Sequence, residues 1–303
     1  ELDANSRISI SNNDGNTSNT VFGKTAFNAG SSVGANYNVA IGELAMGTGT
    51  LAAATYNTSV GYKALEDITS GDNNVAVGAS AGGNLTDGQG NVAIGVSALA
   101  AAEDSEDYNI AIGHSSMLSL TADAAHHNIG LGYLSLKGGS SVGEHNIAIG
   151  YNTLASASMA VSNTVAIGQS ALTALTSGTA NLAIGYQAGL SMTTASNNIL
   201  VGYQAGYLML DNTKNVCIGS TAGAFLGSDL ADENVFIGTG AGASGEWDEP
   251  DDNTASKNIG IGVNVMGGAG SNTQDPHFTA TNNVALGFES LKLITTGNYN
   301  VAI

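Results

Sequence analysis

The sequence is a repeat, and that fact limits the chain to architectures made of stacked units. Asn-Val-Ala-Ile-Gly stands at Asn38–Gly42 and Asn91–Gly95, and Ile replaces Val at Asn146–Gly150. Relaxed to Asn-x-x-apolar-Gly, the motif recurs in fifteen copies from Gly23 to Gly287, and a sixteenth begins at Asn300. Successive glycines are 17–19 residues apart until the last two intervals, which lengthen to 24 and 25.

The columns of the repeat read as follows. The residue before each anchor glycine is Ile, Val, Leu or Phe, and the residue two earlier is apolar in all but Thr20 and Thr58. Side chains at i and i+2 share one face of a strand. Each copy is therefore expected to hold a short strand whose Val and Ile point into a core, with Ile149 and Ile184 buried. Three residues after the glycine comes Ala or Ser in thirteen copies, followed by Leu, Met, Phe or Gly. That pair reads as a second inward-facing segment. A unit of this size cannot bury its own apolar face, whereas stacked units can.

The expected fold is all-β, a parallel β-solenoid of about fifteen to sixteen coils, one per 17–19 residue repeat, with two short strands per coil. Residues 1–18 read as an N-terminal cap or connecting strand. Residues 19–303 read as the solenoid, with longer loops at 243–257 and 267–281. Asparagine recurs at one offset, including Asn38, Asn91, Asn109, Asn146, Asn181, Asn198, Asn215 and Asn234; Thr164 is the exception. In register, these residues predict a hydrogen-bonded ladder.

Composition narrows the function. Seven basic residues against 25 acidic ones give a net charge of −18, so no Lys/Arg footprint for nucleic acid exists. No run of about 20 apolar residues is present to span a membrane. A single cysteine, Cys217, excludes an intramolecular disulfide, and its place between Val216 and Ile218 reads as a packed small side chain.

With the motifs laid out, a family resemblance follows. The Asn-Val-Ala-Ile-Gly core resembles the head repeats of trimeric autotransporter adhesins. The longer form, as in Asn181-Leu-Ala-Ile-Gly-Tyr-Gln-Ala-Gly189 and Asn198-Ile-Leu-Val-Gly-Tyr-Gln-Ala-Gly206, is similar to repeats of bacteriophage tail fibres. So is the opening stretch Asn5–Asp14 leading to Asn19-Thr-Val-Phe-Gly23. The resemblance implies a homotrimeric, extracellular fibre on a virion tail or a cell surface. Its role would be structural and adhesive, spacing or presenting contacts to a host receptor or glycan. The alternative is a cellular adhesin or self-assembling extracellular filament.

Catalytic signatures are missing. Gly240–Gly245 matches G-x-G-x-x-G, but Gly238 and Gly242 belong to the repeat columns and five carboxylates follow. None of the five histidines makes a helical zinc pair, and no G-x-S-x-G elbow occurs. The expectation is a non-enzyme without a cofactor. Acidic stretches 103–107 and 246–252 are the places a Ca²⁺ ion would sit, though without EF-hand spacing. Partner contacts are expected in the two long inserts, at Trp247, Glu249, Asp251, His277 and Phe278, because loops on rigid scaffolds carry binding residues.

Overall fold

A computed structural model describes residues 8–9, 18–28, 34–48, 50–102, 106–120, 125–139, 142–156, 160–227, 231–243, 254–267 and 278–303. They fall into two compact units, Glu1–Ala148 with Ala157–Met159, and Ile149–Ser156 with Ala160–Ile303. Every regular element among the described residues is a short strand, with turns between.

In the first stretch of chain the strands are β1 (Ile8–Ser9), β2 (Thr20–Phe22), β3 (Val39–Ile41), β4 (Thr58–Val60), β5 (Val75–Val77), β6 (Val92–Ile94), β7 (Ile110–Ile112), β8 (Ile129–Leu131) and β9 (Ile147–Ile149). In the second they are β10 (Ala160–Ser162), β11 (Val165–Ile167), β12 (Ser177–Thr179), β13 (Leu182–Ile184), β14 (Ile199–Val201), β15 (Val216–Ile218), β16 (Val235–Ile237), β17 (Ile259–Ile261), β18 (Val284–Leu286) and β19 (Val301–Ala302). From β2 to β8 each strand pairs parallel with the next, motif on motif, as in Val39↔Thr58 and Val92↔Ile110. β11 and then β13 to β19 do the same. The fold is a parallel β-solenoid of about 13 turns, slightly fewer than the fifteen to sixteen expected. β1 lies outside the repeat and runs antiparallel on β2, pairing Ile8 with Phe22.

Two expectations about the coil need correcting. First, most coils hold one strand, not two. The second segment is a run of turns in which residues two and four past the glycine take left-handed backbone, as at Lys63 (φ 58) and Leu65 (φ 47). Its amides still bond from coil to coil, Leu65 N–H to Ala81 O at 3.0 Å and Met46 N–H to Ala64 O at 3.0 Å. The backbone polar groups are thus satisfied without a strand. β10 and β12 are the exception, forming a parallel pair.

Second, the strand faces the opposite way. Ala40, Ala93, Cys217 and Phe236, each the middle residue of its strand, are fully buried or nearly so, while the flanking Val and Ile are not. Ile149 and Ile184 are only partly buried. The interior is narrow, and the middle residue meets the second segment directly. Volumes compensate across that gap. In several coils an alanine in the strand is matched by a large residue six positions on, as Ala93 with Leu99 and Ala111 with Met117, all buried. Where the strand residue is larger than alanine, glycine often stands in the second segment: a Cβ on Gly242 would overlap the Phe236 ring, and one on Gly223 the Cys217 sulfur. Such an interior has no room for two β-branched side chains per strand.

A third inward column lies in what reads as a polar stretch. Leu51, Ile68, Leu85, Leu120, Met192 and Met209 recur within it and are all fully buried or nearly so.

Candidate functional site

The asparagine column forms a continuous buried ladder within each unit. Asn57 donates its backbone N–H and its Nδ2 to Asn38 Oδ1, at 2.9 and 3.2 Å. The Nδ2 of Asn57 also donates to Gly71 O of the next coil at 2.8 Å. Each side chain therefore links three coils. Asn38, Asn91, Asn109, Asn146, Asn198, Asn215 and Asn234 each donate their N–H to the side-chain oxygen of the asparagine one coil before. Asn181 accepts from Asn198 at 3.1 Å and donates to Ala195 O at 2.8 Å. These groups are saturated and buried, so the column holds the coils together and offers nothing to a ligand.

The surface that remains is the outer side of the strands. Val and Ile flank most of the buried middle residues and point outward, with Thr20 and Thr58 among the exceptions. Ile94 is 37% exposed, Ile112 39% and Ile261 41%. No charged residue interrupts the strand positions of β3 to β8. In-register stacking of β2 to β8 therefore makes these part-exposed side chains neighbours, a contiguous apolar strip of the kind that marks an interaction surface.

Beside it run two columns of mostly exposed side chains. One precedes the ladder asparagine and always takes left-handed backbone where it is not glycine. It stacks Tyr37 on Tyr56 at 5.0 Å and Tyr108 on His127 at 5.3 Å, and pairs Lys214 with Glu233 at 3.3 Å. The other follows the anchor glycine and stacks His114 on Tyr133 and Tyr186 on Tyr203 at 5.3 and 5.4 Å. No protein-family model, curated protein or solved structure matches this chain.

Of the residues singled out as partner contacts, Trp247, Glu249, Asp251 and His277 lie outside the described residues. Phe278 is placed, and it is not a surface contact. It is 1% exposed, and its ring tilts against Phe236 at 6.4 Å. The insert ends by returning an aromatic side chain to the core. The outward Val/Ile face was missed for a simple reason: alternation shows which residues share a face but not which face is inside. Volumes trade between strand and second segment in some coils, as Phe236 with Gly242, but Ala76 with Gly82 and Val21 with Phe27 do not follow the trade, so the pattern by itself does not name the inner face.

Several carboxylates bind neighbouring coils. Asp72 Oδ1 accepts the Thr55 N–H at 2.6 Å, Asp107 that of Gln89 at 2.7 Å, and Asp232 that of Thr213 at 2.6 Å. The Thr193 hydroxyl and Thr194 N–H donate to Asp211 and hold its carboxyl below the usual range. In the first acidic stretch, Glu106 is buried and its backbone oxygen accepts from Asn91 Nδ2 at 2.7 Å. Gly240 and Gly242 occupy a turn of the repeat at φ 65 and 62, and no helix follows among the described residues. No helix among them is long and apolar enough to cross a membrane.

Cys217 provides a direct check on which way the strands face. It is fully buried, and burial pushes its thiol up to about 12. At neutral pH it stays protonated and shielded. Native protein is expected to resist iodoacetamide and to be labelled once only after denaturation. Labelling of the folded chain at the rate of a free thiol would mean that the middle residue of the strand points outward.

Proposed function

We propose that the chain is a structural and adhesive fibre segment, the shaft of a phage-type tail fibre, assembled as a homotrimer outside the cell. The observation that carries this reading is the outward face of the strands, built mostly of Val and Ile. A standard interface buries roughly 800 Å² per partner, and a face that repeats coil after coil gains area with every turn. The face is built from a translationally repeated strand, so the partner best matched to it is a second copy in register. Closed cyclic symmetry removes the exposed face from every chain, and the resemblance of the repeats sets the copy number at three. Trimerisation also concentrates charge, so approach to an anionic cell surface relies on close contacts rather than long-range attraction. The exposed stacked tyrosines, such as Tyr186 and Tyr203, supply flat apolar faces with a polar edge for a receptor or glycan.

The experiment is a mass measurement by light scattering on the whole chain and on Ile94→Glu combined with Ile112→Glu. The unmodified chain is expected at three times its own mass. The double variant is expected as a monomer with an unchanged β-rich circular dichroism spectrum, because both side chains are already part-exposed in the single chain. A monomeric parent at micromolar concentration, or a trimeric variant, would overturn the proposal. A variant that unfolds would show that these residues serve the coil interior instead.

A further inference from the structure

Stacking brings together side chains that the linear sequence keeps apart. His127 and His145 sit in the same column, one residue before the ladder asparagines Asn128 and Asn146, and both have left-handed backbone at φ 57 and 61. Their rings lie parallel, 10° apart with centroids at 5.2 Å. The scaffold sets this spacing, since His127 N–H donates to Asp107 O at 3.1 Å and His145 N–H to His126 O at 3.2 Å. Tyr108 stacks on the other side of His127 at 5.3 Å and restrains that ring. Glu144, next to His145 in sequence, brings Oε2 to 3.8 Å from His145 Nδ1. One ligand atom each from His127, Glu144 and His145 lie within 4.8 Å of one another, and all three residues are exposed.

We propose that His127, His145 and Glu144 form a binding site for a divalent transition-metal ion of the zinc class. Two imidazole nitrogens and one carboxylate oxygen make a borderline donor set that suits Zn²⁺ and is far from the six or more oxygens Ca²⁺ takes. Donors around a tetrahedral Zn²⁺ stand roughly 3.4 Å apart, given Zn–N bonds near 2.0–2.1 Å. Closing the remaining gap needs only side-chain rotation of exposed groups. His126 is not part of the set, because its Nδ1 accepts the Asp107 N–H at 3.1 Å. Three protein ligands leave a fourth position for water. The bound ion would clasp two successive coils from outside, at a point where the interior makes its own separate contacts. The site stands independently of the fibre reading.

The test titrates Zn²⁺ into the full chain by calorimetry, with Co²⁺ as a spectroscopic probe, and compares His127→Asn, His145→Asn and His114→Asn. Asparagine is a safe replacement in this column, where Asn73, Asn197 and Asn282 already take left-handed backbone at φ 60, 62 and 58. Circular dichroism confirms that each variant is folded. One Zn²⁺ per chain is expected, with the visible absorption of four-coordinate cobalt. Each variant of the pair should weaken binding at least about tenfold, since even outer partners of a metal site cost that much when lost. His114→Asn should bind as the parent does. Parent binding no tighter than that of the His127→Asn, His145→Asn double variant would overturn the proposal. So would an equal loss in His114→Asn.

Discussion

Replacing Gly95 by alanine is expected to destabilise the chain by more than about 4 kcal/mol, a size seen only when strain and a core clash act together. Gly95 sits at φ 130, a region that residues with a Cβ avoid. A Cβ there would come to 2.6 Å from the backbone oxygen of Gly113, the anchor of the next coil, and 2.7 Å from its carbonyl carbon. Neither atom can yield without moving the next strand. Gly287 separates the two causes. Its φ is 115, but nothing lies within 4 Å of a Cβ built on it. Gly287→Ala should therefore cost only the strain, on the order of 1–3 kcal/mol. Because a solenoid is coupled through nearest neighbours, the damage from Gly95→Ala should centre on the flanking coils. Urea unfolding and amide hydrogen exchange read the size and the place. Equal effects at both glycines would remove the clash from the explanation.

The second large effect is expected at the ladder. Asn91→Leu removes the acceptor of the Asn109 N–H at 2.9 Å and of Asn109 Nδ2 at 3.3 Å. It also removes the donor to Glu106 O at 2.7 Å and one donor to Asn74 Oδ1 at 3.1 Å. The backbone N–H of residue 91 can still reach Asn74. Several buried polar groups lose a partner where water has no access, and the expected cost is on the order of 4 kcal/mol. Asn73→Gly serves as the control. Asn73 is exposed beside the ladder residue Asn74, at φ 60, where glycine is equally at home. Its replacement should change stability by no more than about 0.5 kcal/mol. Chemical denaturation of the two variants checks both figures. A small effect at Asn91 would mean that the ladder follows from stacking and contributes little to it.

Much of the fold is readable from spacing alone. A motif returning every 17–19 residues can satisfy its strand edges only by lying on its own copies, so stack, parallel sense and register follow from the period. The ladder is legible for the same reason, because one polar residue type at one offset, buried at every copy, needs its neighbour as partner. The orientation of the strands was not legible from alternation. Val39 and Ile41 share a face by geometry, but which face is inside depends on the width of the coil. That width is set by residues far along the repeat, seen in the pairs Phe236 with Gly242 and Cys217 with Gly223.

What the sequence determined by itself is the translational order: the repeat, the parallel strands, and the glycine and asparagine columns. These depend on period and residue type, which survive without coordinates. Tertiary structure alone decided which apolar residues are spent on the core and which face outward. It returned Phe278 to the interior and placed His127, Glu144 and His145 within reach of one ion. The physical reason is that burial and proximity depend on how far apart two backbones are held. In a solenoid that distance arises from the closure of each whole coil, which no local pattern encodes.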